Sequence, residues 1–290
     1  TNLNGSEPNI TLENLPSDDG SELGYSVASG DVNGDGIDDI IAGADIANKS
    51  DWDGGGRVYV WFGISGSSIG NLNGSEPNLT FDNIQEDSSI FGHSVISGDI
   101  NGDGIEDIIV GAKQTNKSSY DYSGSVYVWY GKSGDGINNL NGSYPNLTLE
   151  NLQDGDNVFG WDVASGDVNG DGIKDIVASA VSSPKSTPTA NYTFSGRVYV
   201  WLGVNGSGAD SLNGSEPTLT FENPQDDNSR FGYSVATGDI NGDGIEDMII
   251  GAYQSNKGIY GTAGRVYVWY GASGEGIYTL NGSEPNLTFE

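Results

Sequence analysis

Four short segments of the chain concentrate side chains that could bind a metal ion. Each follows the pattern Asp-x-Asn-Gly-Asp-Gly-Ile-x-Asp, and the copies begin at Asp31, Asp99, Asp167 and Asp239. Positions 1, 3, 5 and 9 offer side-chain oxygens, and position 7 offers its main-chain carbonyl. Alternating spacing through a tight glycine turn can wrap these oxygens around one point. A set of hard oxygens at about 2.3–2.6 Å is typical of calcium, not of zinc or copper.

We therefore predict four calcium sites. Their expected ligands are Asp31, Asn33, Asp35, Ile37 and Asp39; Asp99, Asn101, Asp103, Ile105 and Asp107; Asp167, Asn169, Asp171, Ile173 and Asp175; and Asp239, Asn241, Asp243, Ile245 and Asp247. Without a cation, carboxylates 4 Å apart repel by roughly 4 kcal/mol per pair at an effective dielectric of about 20. The alternative is an ordinary Asx and glycine turn between two strands. The same ligand set in four copies favours calcium.

Other calcium loops that begin in the same way do not fit. An EF-hand needs a bidentate Glu at position 12, and a dockerin-type loop also carries an acid there. The residues found at that position are Ala42, Val110, Ala178 and Ile250. The ninth residue therefore closes each loop. Position 8 is Asp in the first copy, Glu in the second and fourth, and Lys174 in the third. Because it admits a lysine, we expect it to be solvated and not a ligand.

Composition excludes several classes of function. The 290 residues carry a formal net charge of -30, which argues against binding nucleic acid. There is no cysteine, so neither disulfides nor thiol chemistry are available. No apolar run reaches the length that spans a bilayer, and no basic and apolar leader is present, so we expect no membrane insertion. The start at Thr1 suggests a processed chain or an excised fragment.

The chain repeats with a period of about 70 residues. The marker Asn-Gly-Ser-Glu/Tyr-Pro opens units at about 1–70, 71–138, 139–210 and 211–278, and 279–290 starts a fifth. Each unit holds several short alternating apolar segments and none with a helical period. We predict one all-β domain over 1–290, a β-propeller whose four repeats each form a blade of four antiparallel strands.

Two dipeptides in each unit carry a family resemblance. The first pairs are Leu23-Gly24, Phe91-Gly92, Phe159-Gly160 and Phe231-Gly232. The second pairs are Gly43-Ala44, Gly111-Ala112 and Gly251-Ala252, with Ser179-Ala180 in the third copy and no following proline. The units resemble the FG-GAP repeat of integrin alpha subunits and related extracellular proteins. This resemblance implies propeller blades with calcium in the hairpin between a blade's first two strands.

The resemblance also implies a strand order within each blade. In the first unit, the strands are expected at 25–30, 40–44, 57–63 and 78–84. Calcium loops and Asn-Gly-Ser loops then share one face, and the acidic and variable loops lie on the other. The only histidine, His93, aligns with Tyr25, Trp161 and Tyr233 and so is expected in a packing ring, not in catalysis.

The variable loops could carry a binding site, because such sites are often placed on the loops at one end of a rigid scaffold. Each loop holds one lysine and at least one aromatic residue. The lysines are Lys49, Lys117, Lys185 and Lys257, and the aromatics include Trp52, Tyr120, Tyr122, Tyr192, Phe194 and Tyr260. The alternative is drift after duplication, with aromatics covering the blades.

Sequons for N-glycosylation are abundant, although duplication inflates their number. They are Asn4, Asn9, Asn48, Asn73, Asn78, Asn116, Asn141, Asn146, Asn191, Asn205, Asn213, Asn281 and Asn286. Asn-Gly is also a turn signal. We favour glycosylation of a secreted chain, since several sequons fall in expected surface loops.

Four copies of the first three strands accompany five segments of the fourth type, because the chain opens with NITLENL and closes with NLTFE. A spare strand can add to a neighbour's sheet edge, and head-to-tail donation makes a ring or a filament. Truncation of a longer repeat array is the other explanation. Two arrangements are compatible with the sequence. One is a closed ring of four blades, and the other is a ring of eight blades shared by two chains.

These features predict a non-enzymatic, calcium-stabilised, glycosylated extracellular propeller. It would act as a structural or adhesive surface module and associate with copies of itself as a homo-oligomer or filament. No nucleophile lies near a histidine in a familiar catalytic arrangement. The alternative is a lectin-like or protein-ligand receptor that uses the variable loops to bind a surface glycan or a protein.

Overall fold

The computed structural model describes residues 8–15, 20–48, 54–84, 89–116, 122–150, 157–256 and 261–290. Within this part of the chain, the strands form four antiparallel sheets of four strands and one two-stranded hairpin. In each four-stranded sheet, strands that follow one another in the blade are hydrogen-bonded neighbours. The all-β, propeller-blade prediction is therefore confirmed.

The four strands of each blade follow one another along the chain. The first three come from one repeat, and the fourth comes from the start of the next. The first blade is β1 (Ser26–Gly30), β2 (Asp39–Ala44), β3 (Arg57–Trp61) and β4 (Leu79–Asp82). The second is β5 (Phe91–Gly98), β6 (Asp107–Ala112), β7 (Ser125–Trp129) and β8 (Leu147–Glu150). The third is β9 (Phe159–Gly166), β10 (Asp175–Ala180), β13 (Arg197–Trp201) and β14 (Leu219–Glu222), with the hairpin β11 (Lys185–Ser186) and β12 (Asn191–Tyr192) inserted. The fourth is β15 (Ser234–Gly238), β16 (Asp247–Ala252), β17 (Arg265–Trp269) and β18 (Leu287–Phe289).

The third strand of each blade shows why the repeat folds this way. In β3, Val58 and Val60 point to one face and Tyr59 and Trp61 to the other, because side chains alternate along a strand. All four are fully buried, and the two pairs belong to different apolar clusters. A strand that is apolar on both faces needs a neighbouring layer on each side. The pattern therefore favours blades packed face to face over a single solvated sheet.

Neighbouring blades meet through the Phe-Gly dipeptide. Phe91 donates its backbone N–H to the Gly55 carbonyl of the preceding blade at 3.2 Å. Gly92 lies directly on Gly43, where an added Cβ would sit 2.0 Å from the Gly92 carbonyl oxygen. Only a glycine or a locally adjusted backbone permits this approach. The dipeptide is thus the part of each repeat that fixes the spacing of the blades.

The loops divide between two faces as expected. On one face, the Lys132 N–H donates to the Val32 carbonyl at 3.1 Å and so joins an Asn-Gly-Ser loop to the preceding calcium loop. On the other, the Gln114 N–H donates to the Ser89 carbonyl at 2.9 Å and joins a variable loop to an acidic loop.

The structure differs from the sequence prediction in two local respects. Each Asn-Gly-Ser loop is preceded by a 3-10 helix, at Gly66–Leu72, Gly134–Leu140, Gly206–Leu212 and Gly274–Leu280. The opening segment at 9–13 is not a strand, because the structure gives it no third strand to pair with. Instead, Thr11 donates its N–H to Asn73 Oδ1 at 2.7 Å and accepts from the Gly74 N–H at 2.8 Å.

No helix among the described residues combines the length and the apolar character that a membrane span requires.

Candidate metal centres

Each predicted calcium loop is the hairpin between the first two strands of a blade. In the first blade, Gly30 at the end of β1 pairs with Asp39 at the start of β2, so residues 31–38 form the turn. Gly34 and Gly36 take φ of 69° and 85° within it. That left-handed conformation is accessible to glycine at little cost, which explains the two glycines of the motif.

The side chains at positions 1, 3 and 5 converge on the backbone of this turn. The Asp35 N–H donates to Asp31 Oδ1 at 3.0 Å and to Asn33 Oδ1 at 2.9 Å. The Gly36 N–H donates to Asp31 Oδ2 at 2.8 Å, and the Ile37 N–H donates to Asp35 Oδ1 at 2.9 Å. The turn therefore gathers oxygens from three side chains at one place.

The other three loops repeat these bonds. The N–H at position 5 donates to the side-chain oxygens of positions 1 and 3 at 3.0 and 2.9 Å in the second loop, 3.0 and 2.8 Å in the third, and 3.1 and 2.8 Å in the fourth. The residues at position 5 are Asp103, Asp171 and Asp243. Four copies with the same geometry indicate one shared role.

The Asp at position 9 has a structural role that was not predicted from the sequence. Asp39 is fully buried and accepts hydrogen bonds from the Val32 N–H at 3.0 Å, Asn33 Nδ2 at 3.0 Å and the Gly63 N–H at 2.8 Å. The last bond ties the hairpin to the residues just beyond β3. Asp39 therefore anchors the loop to the sheet. The sequence does carry a signal for this anchoring role, because an Asp is the first residue of the apolar second strand in all four copies.

Burial makes these anchoring carboxylates costly to ionise. It raises the pKa of Asp39 to about 6, of Asp175 to about 7 and of Asp107 to about 8, while bonds from backbone N–H groups act in the opposite direction. The loop carboxylates at positions 1 and 5 add to the rise. A cation beside them would favour the ionised form.

The donor set of each loop fits a hard cation. It consists of carboxylate, amide and carbonyl oxygens, without sulfur or imidazole, as calcium prefers. Among the residues that the structure describes, no three His, Cys, Asp or Glu side chains are grouped closely enough to hold a metal by themselves. Any such site would thus depend on the Asn at position 3 and on the carbonyl at position 7 as well.

Position 8 is not simply solvated. Lys174 Nζ lies 2.6 Å from Glu246 Oε1, which joins the third and fourth blades. Glu106 accepts a hydrogen bond from Ser97 Oγ in its own blade, whereas Asp38 is exposed. The position contributes to packing between and within blades.

His93 lies in a row of aromatic rings along the first strands of the blades. Ring centroids are 4.6 Å apart from Tyr25 to His93, 5.0 Å from His93 to Trp161 and 5.1 Å from Trp161 to Tyr233. The buried His93 places Nδ1 2.9 Å from Asp45 Oδ2 of the preceding blade. These contacts agree with a packing role.

The recurrent sequons have a structural explanation of their own. Asn141 Oδ1 accepts from the Thr80 N–H at 2.8 Å, and Asn146 Oδ1 accepts from the Tyr130 N–H at 2.9 Å. Equivalent bonds to Oδ1 are made by Asn73, Asn78, Asn213, Asn281 and Asn286. These asparagines are exposed, and so are Asn9, Asn48, Asn116, Asn191 and Asn205. Asn4 lies outside the described residues.

The variable-loop residues are only partly described. Lys185 Nζ donates to the Asn223 carbonyl at 2.8 Å and is therefore engaged within the fold. Phe194 is half exposed and lies under the Arg230 guanidinium at 4.8 Å, and Tyr122 is exposed. The residues outside the described part are Lys49, Trp52, Lys117, Tyr120, Lys257 and Tyr260.

Each four-stranded sheet contacts the next one through a Phe-Gly dipeptide, and each carries an oxygen-rich hairpin on the same face. This arrangement defines a protein built from β-propeller blades. The family model described as "FG-GAP repeat" matches four segments, which together cover more than half of the chain: 23–61, 91–129, 159–201 and 231–269. The chain belongs to the FG-GAP repeat family.

Named relatives support the same assignment. Human phosphatidylinositol-glycan-specific phospholipase D is 28% identical over 286 residues, which cover 91% of this chain and 31% of that protein. Integrin alpha-5 of Xenopus laevis is 29% identical over 84% of this chain and 21% of its own length, and integrin alpha-V of Gallus gallus is 30% identical over 81% and 20%. The chain thus spans less than a third of these relatives.

Among solved structures, the exotype rhamnogalacturonan lyase YesX aligns with a TM-score of 0.45 at 14% identity, over 86% of this chain and 40% of that one. No functional inference follows from so distant a likeness.

Proposed function

We propose that this chain is a calcium-stabilised, glycosylated extracellular propeller module with a structural or adhesive role at a surface. It carries four calcium sites in the hairpins described above and associates with copies of itself. The observation that carries the proposal is shared by all four blades: the side-chain oxygens of positions 1 and 3 accept from the N–H of position 5, and the side-chain oxygen of position 5 accepts from the N–H of position 7.

The chemistry of the loops supports calcium at these points. In each loop, the proposed ligands are the residues at positions 1, 3, 5, 7 and 9 of the motif. Lys174 of the third loop pairs with Glu246 of the next blade, and the four loops hold no other cationic side chain. A divalent ion would therefore relieve the repulsion between their carboxylates and stabilise the blade. The ion supplies charge neutralisation and a common centre for the turn. The chain's own residues fix the turn through the backbone bonds.

The relatives' names support a surface setting and leave activity open. Integrin alpha-5 and alpha-V are matched over most of this chain, which favours an adhesive or structural role. The phospholipase D is an enzyme by name, but the match covers 31% of it. We propose no catalytic activity for these blades. The exposed sequons are compatible with glycosylation of an extracellular protein.

A receptor that uses the variable loops is the second candidate. The partly exposed Phe194 and the exposed Tyr122 favour it, since exposed aromatic rings on loops suit glycan or protein binding. Glycan-array binding that is lost in Phe194→Ala, with the blades still folded, would support this alternative over a purely structural module.

Chelation tests the leading proposal. We expect EGTA to lower the melting temperature sharply, because each blade loses the ion that neutralises its hairpin. Asp35→Ala removes a ligand and should reduce the calcium-dependent part of the stability. Lys174→Ala is the matched control at position 8. It breaks a partly exposed ion pair worth up to about 1 kcal/mol and should leave the response to calcium intact. A melting temperature that is the same with calcium and with EGTA would contradict the proposal.

A further inference from the structure

The loop that carries Asn141 joins the first and second blades at their outer edge. Asn141 Oδ1 accepts from the N–H of Thr80 in strand β4 at 2.8 Å, and the Gly142 N–H donates to the Thr80 carbonyl at 3.1 Å. The indole N–H of Trp129 in the second blade donates to the Ser143 carbonyl at 3.1 Å. These bonds hold the Asn-Gly-Ser turn in one position against the edge strand.

Only two of the three side-chain types in this turn serve the fold. Asn141 uses its Oδ1 atom, and Gly142 takes φ of 66°, a left-handed conformation that glycine adopts at little cost. The Ser143 hydroxyl is buried, yet it makes no hydrogen bond within the described part of the chain. The same is true of its three counterparts, Ser75, Ser215 and Ser283.

The serine of this turn is explained by a modification and not by the fold. A buried hydroxyl without a partner costs folding free energy, so an alanine would serve the turn at least as well. The hydroxyl of Asn-x-Ser is, however, a necessary part of the acceptor sequence for N-glycosylation. Four repeats that carry the hydroxyl without a partner therefore indicate that the acceptor requires it.

The acceptor nitrogen of Asn141 can be modified without loss of the turn. Asn141 is exposed, and among the described residues its Nδ2 has no hydrogen-bond partner. In N-glycosylation, Nδ2 forms a bond to the anomeric carbon of a glycosyl diphosphate donor. The C1–O bond of the donor breaks, the diphosphate leaves with the bonding electrons, and Nδ2 loses one proton. Oδ1 keeps its lone pairs, so the bond from Thr80 is retained.

An exposed aromatic ring lies three residues beyond this acceptor. Tyr144 is 81% exposed, the highest value of any large hydrophobic side chain in the described ranges. In the other three repeats the same place holds a glutamate, at Glu76, Glu216 and Glu284. The blades therefore do not need a ring here for their own packing. A ring whose faces lie in water favours an apolar partner.

A groove of about 170 Å³ lies beside this ring, between strand β4 and the Asn-Gly-Ser turn. It is lined by Asp82, Asn83 and Ile84 of the first blade and by Gly142, Ser143 and Tyr144 of the second. The groove thus places polar side chains next to an aromatic ring. A pyranose sugar has the complementary character, with C–H groups on its faces and hydroxyls at its rim.

We propose that Asn141 carries an N-linked glycan whose innermost sugars pack on Tyr144 and occupy this groove. The inference rests on the glycosylation in the proposed function and identifies one site and the contact that its glycan makes. The occupant follows from the position of the acceptor, since the Cα atoms of Asn141 and Tyr144 are at most about 11 Å apart along the chain. The glycan then stabilises the junction of the first two blades, because it contacts residues of both.

Peptide mapping of the full chain, secreted from a host that performs N-glycosylation, measures occupancy of the site. A peptide N-glycosidase in heavy-oxygen water converts each occupied asparagine to aspartate and labels it. We expect the label at position 141. It should be lost in Ser143→Ala, which leaves the bond between Asn141 and Thr80 in place, and retained in Ser143→Thr, which keeps the acceptor sequence.

A cycle of substitutions tests the contact with the ring. Tyr144→Glu introduces the residue of the other three repeats and should therefore fold. In the glycosylated chain it should lower the melting temperature by about 1–3 °C, because a contact that buries roughly 50 Å² of apolar surface is lost. In the Ser143→Ala chain, which lacks this sugar, the same substitution should shift it by less than about 0.5 °C.

The third repeat supplies the matched control. Ser215→Ala removes the acceptor at Asn213, where Glu216 takes the place of the tyrosine. In this background Tyr144→Glu should lower the melting temperature by the same amount as in the parent. All samples are compared in calcium, so that metal binding does not vary between them.

The outcomes separate this inference from the proposed function. An unoccupied Asn141 in a chain that carries sugar at other sequons would overturn the inference and leave glycosylation of the chain in place. No sugar at any sequon would overturn both. An effect of Tyr144→Glu that is the same with and without the sugar at position 141 would overturn the contact with the ring.

Discussion

Replacing Asp107 by alanine separates the anchoring role of position 9 from calcium binding. Asp107 is fully buried and accepts from the Ile100 N–H at 2.9 Å, the Gly131 N–H at 2.9 Å and Asn101 Nδ2 at 3.3 Å. The alanine variant leaves two backbone donors unsatisfied, at about 1–3 kcal/mol each. Removal of a buried carboxylate whose pKa is raised to about 8 offsets part of this cost when no calcium is present.

The net effect expected for Asp107→Ala is a loss of about 2–4 kcal/mol of unfolding free energy in EGTA, and more in calcium. Asp103→Ala serves as the comparison, because this exposed ligand residue accepts from the Ile105 N–H, at 2.9 Å, within the same loop. It should be nearly silent in EGTA and destabilising in calcium. Urea unfolding followed by tryptophan fluorescence measures both variants in both conditions.

Two results would refute this reasoning. A loss below about 1 kcal/mol for Asp107→Ala in EGTA would mean that the carboxylate does not hold the hairpin to the third strand. Equal losses for Asp103→Ala with and without calcium would mean that position 5 acts through the turn alone.

Two further predictions concern the contacts between blades. Asp162 of the third blade accepts hydrogen bonds from the Ser94 hydroxyl of the second blade at 2.9 Å and from the Val235 N–H of the fourth at 2.8 Å. Burial raises the pKa of Asp162 above its usual range, so ionisation of this carboxyl should disfavour the folded state increasingly as pH rises from about 4 through the folded pKa. Asp162→Asn removes that titration, so its stability relative to the wild type should increase with pH; a difference independent of pH from about 4 to about 8 would contradict this. Gly111→Val places a Cβ 2.3 Å from the Gly160 carbonyl oxygen and should lower the free energy of unfolding in urea by about 1–3 kcal/mol. The Cβ of Gly251→Val, on the exposed face of the fourth blade, meets nothing closer than 3.5 Å, so this variant should cost less. Equal losses for the two variants would refute the packing argument.

Much of the blade could be predicted from sequence because the determining signals are local. The alternation of Val58, Tyr59, Val60 and Trp61 fixes a strand with two buried faces, and the spacing of Asp31 and Asp39 around two glycines fixes a hairpin. The predicted strands agree with the observed ones to within about two residues at each end, which is the usual uncertainty of such boundaries.

Features that depend on contacts between residues distant in the sequence were not predicted. The 3-10 helix at Gly66–Leu72 has no side-chain cap and no apolar period of its own. The segment at 9–13 has the pattern of a strand, but it forms one only where a third strand is available to pair. The anchoring bond from Gly63 to Asp39 joins residues 24 positions apart, and no local pattern reveals it.

Isothermal titration of the calcium-free chain with calcium measures whether the hairpins bind the ion and at how many sites. We predict binding at four sites per chain, and one fewer in a chain that carries Asp171→Ala together with Asp167→Ala in the third loop. Absence of binding, or a stoichiometry unaffected by those substitutions, would contradict the assignment of calcium to the hairpins.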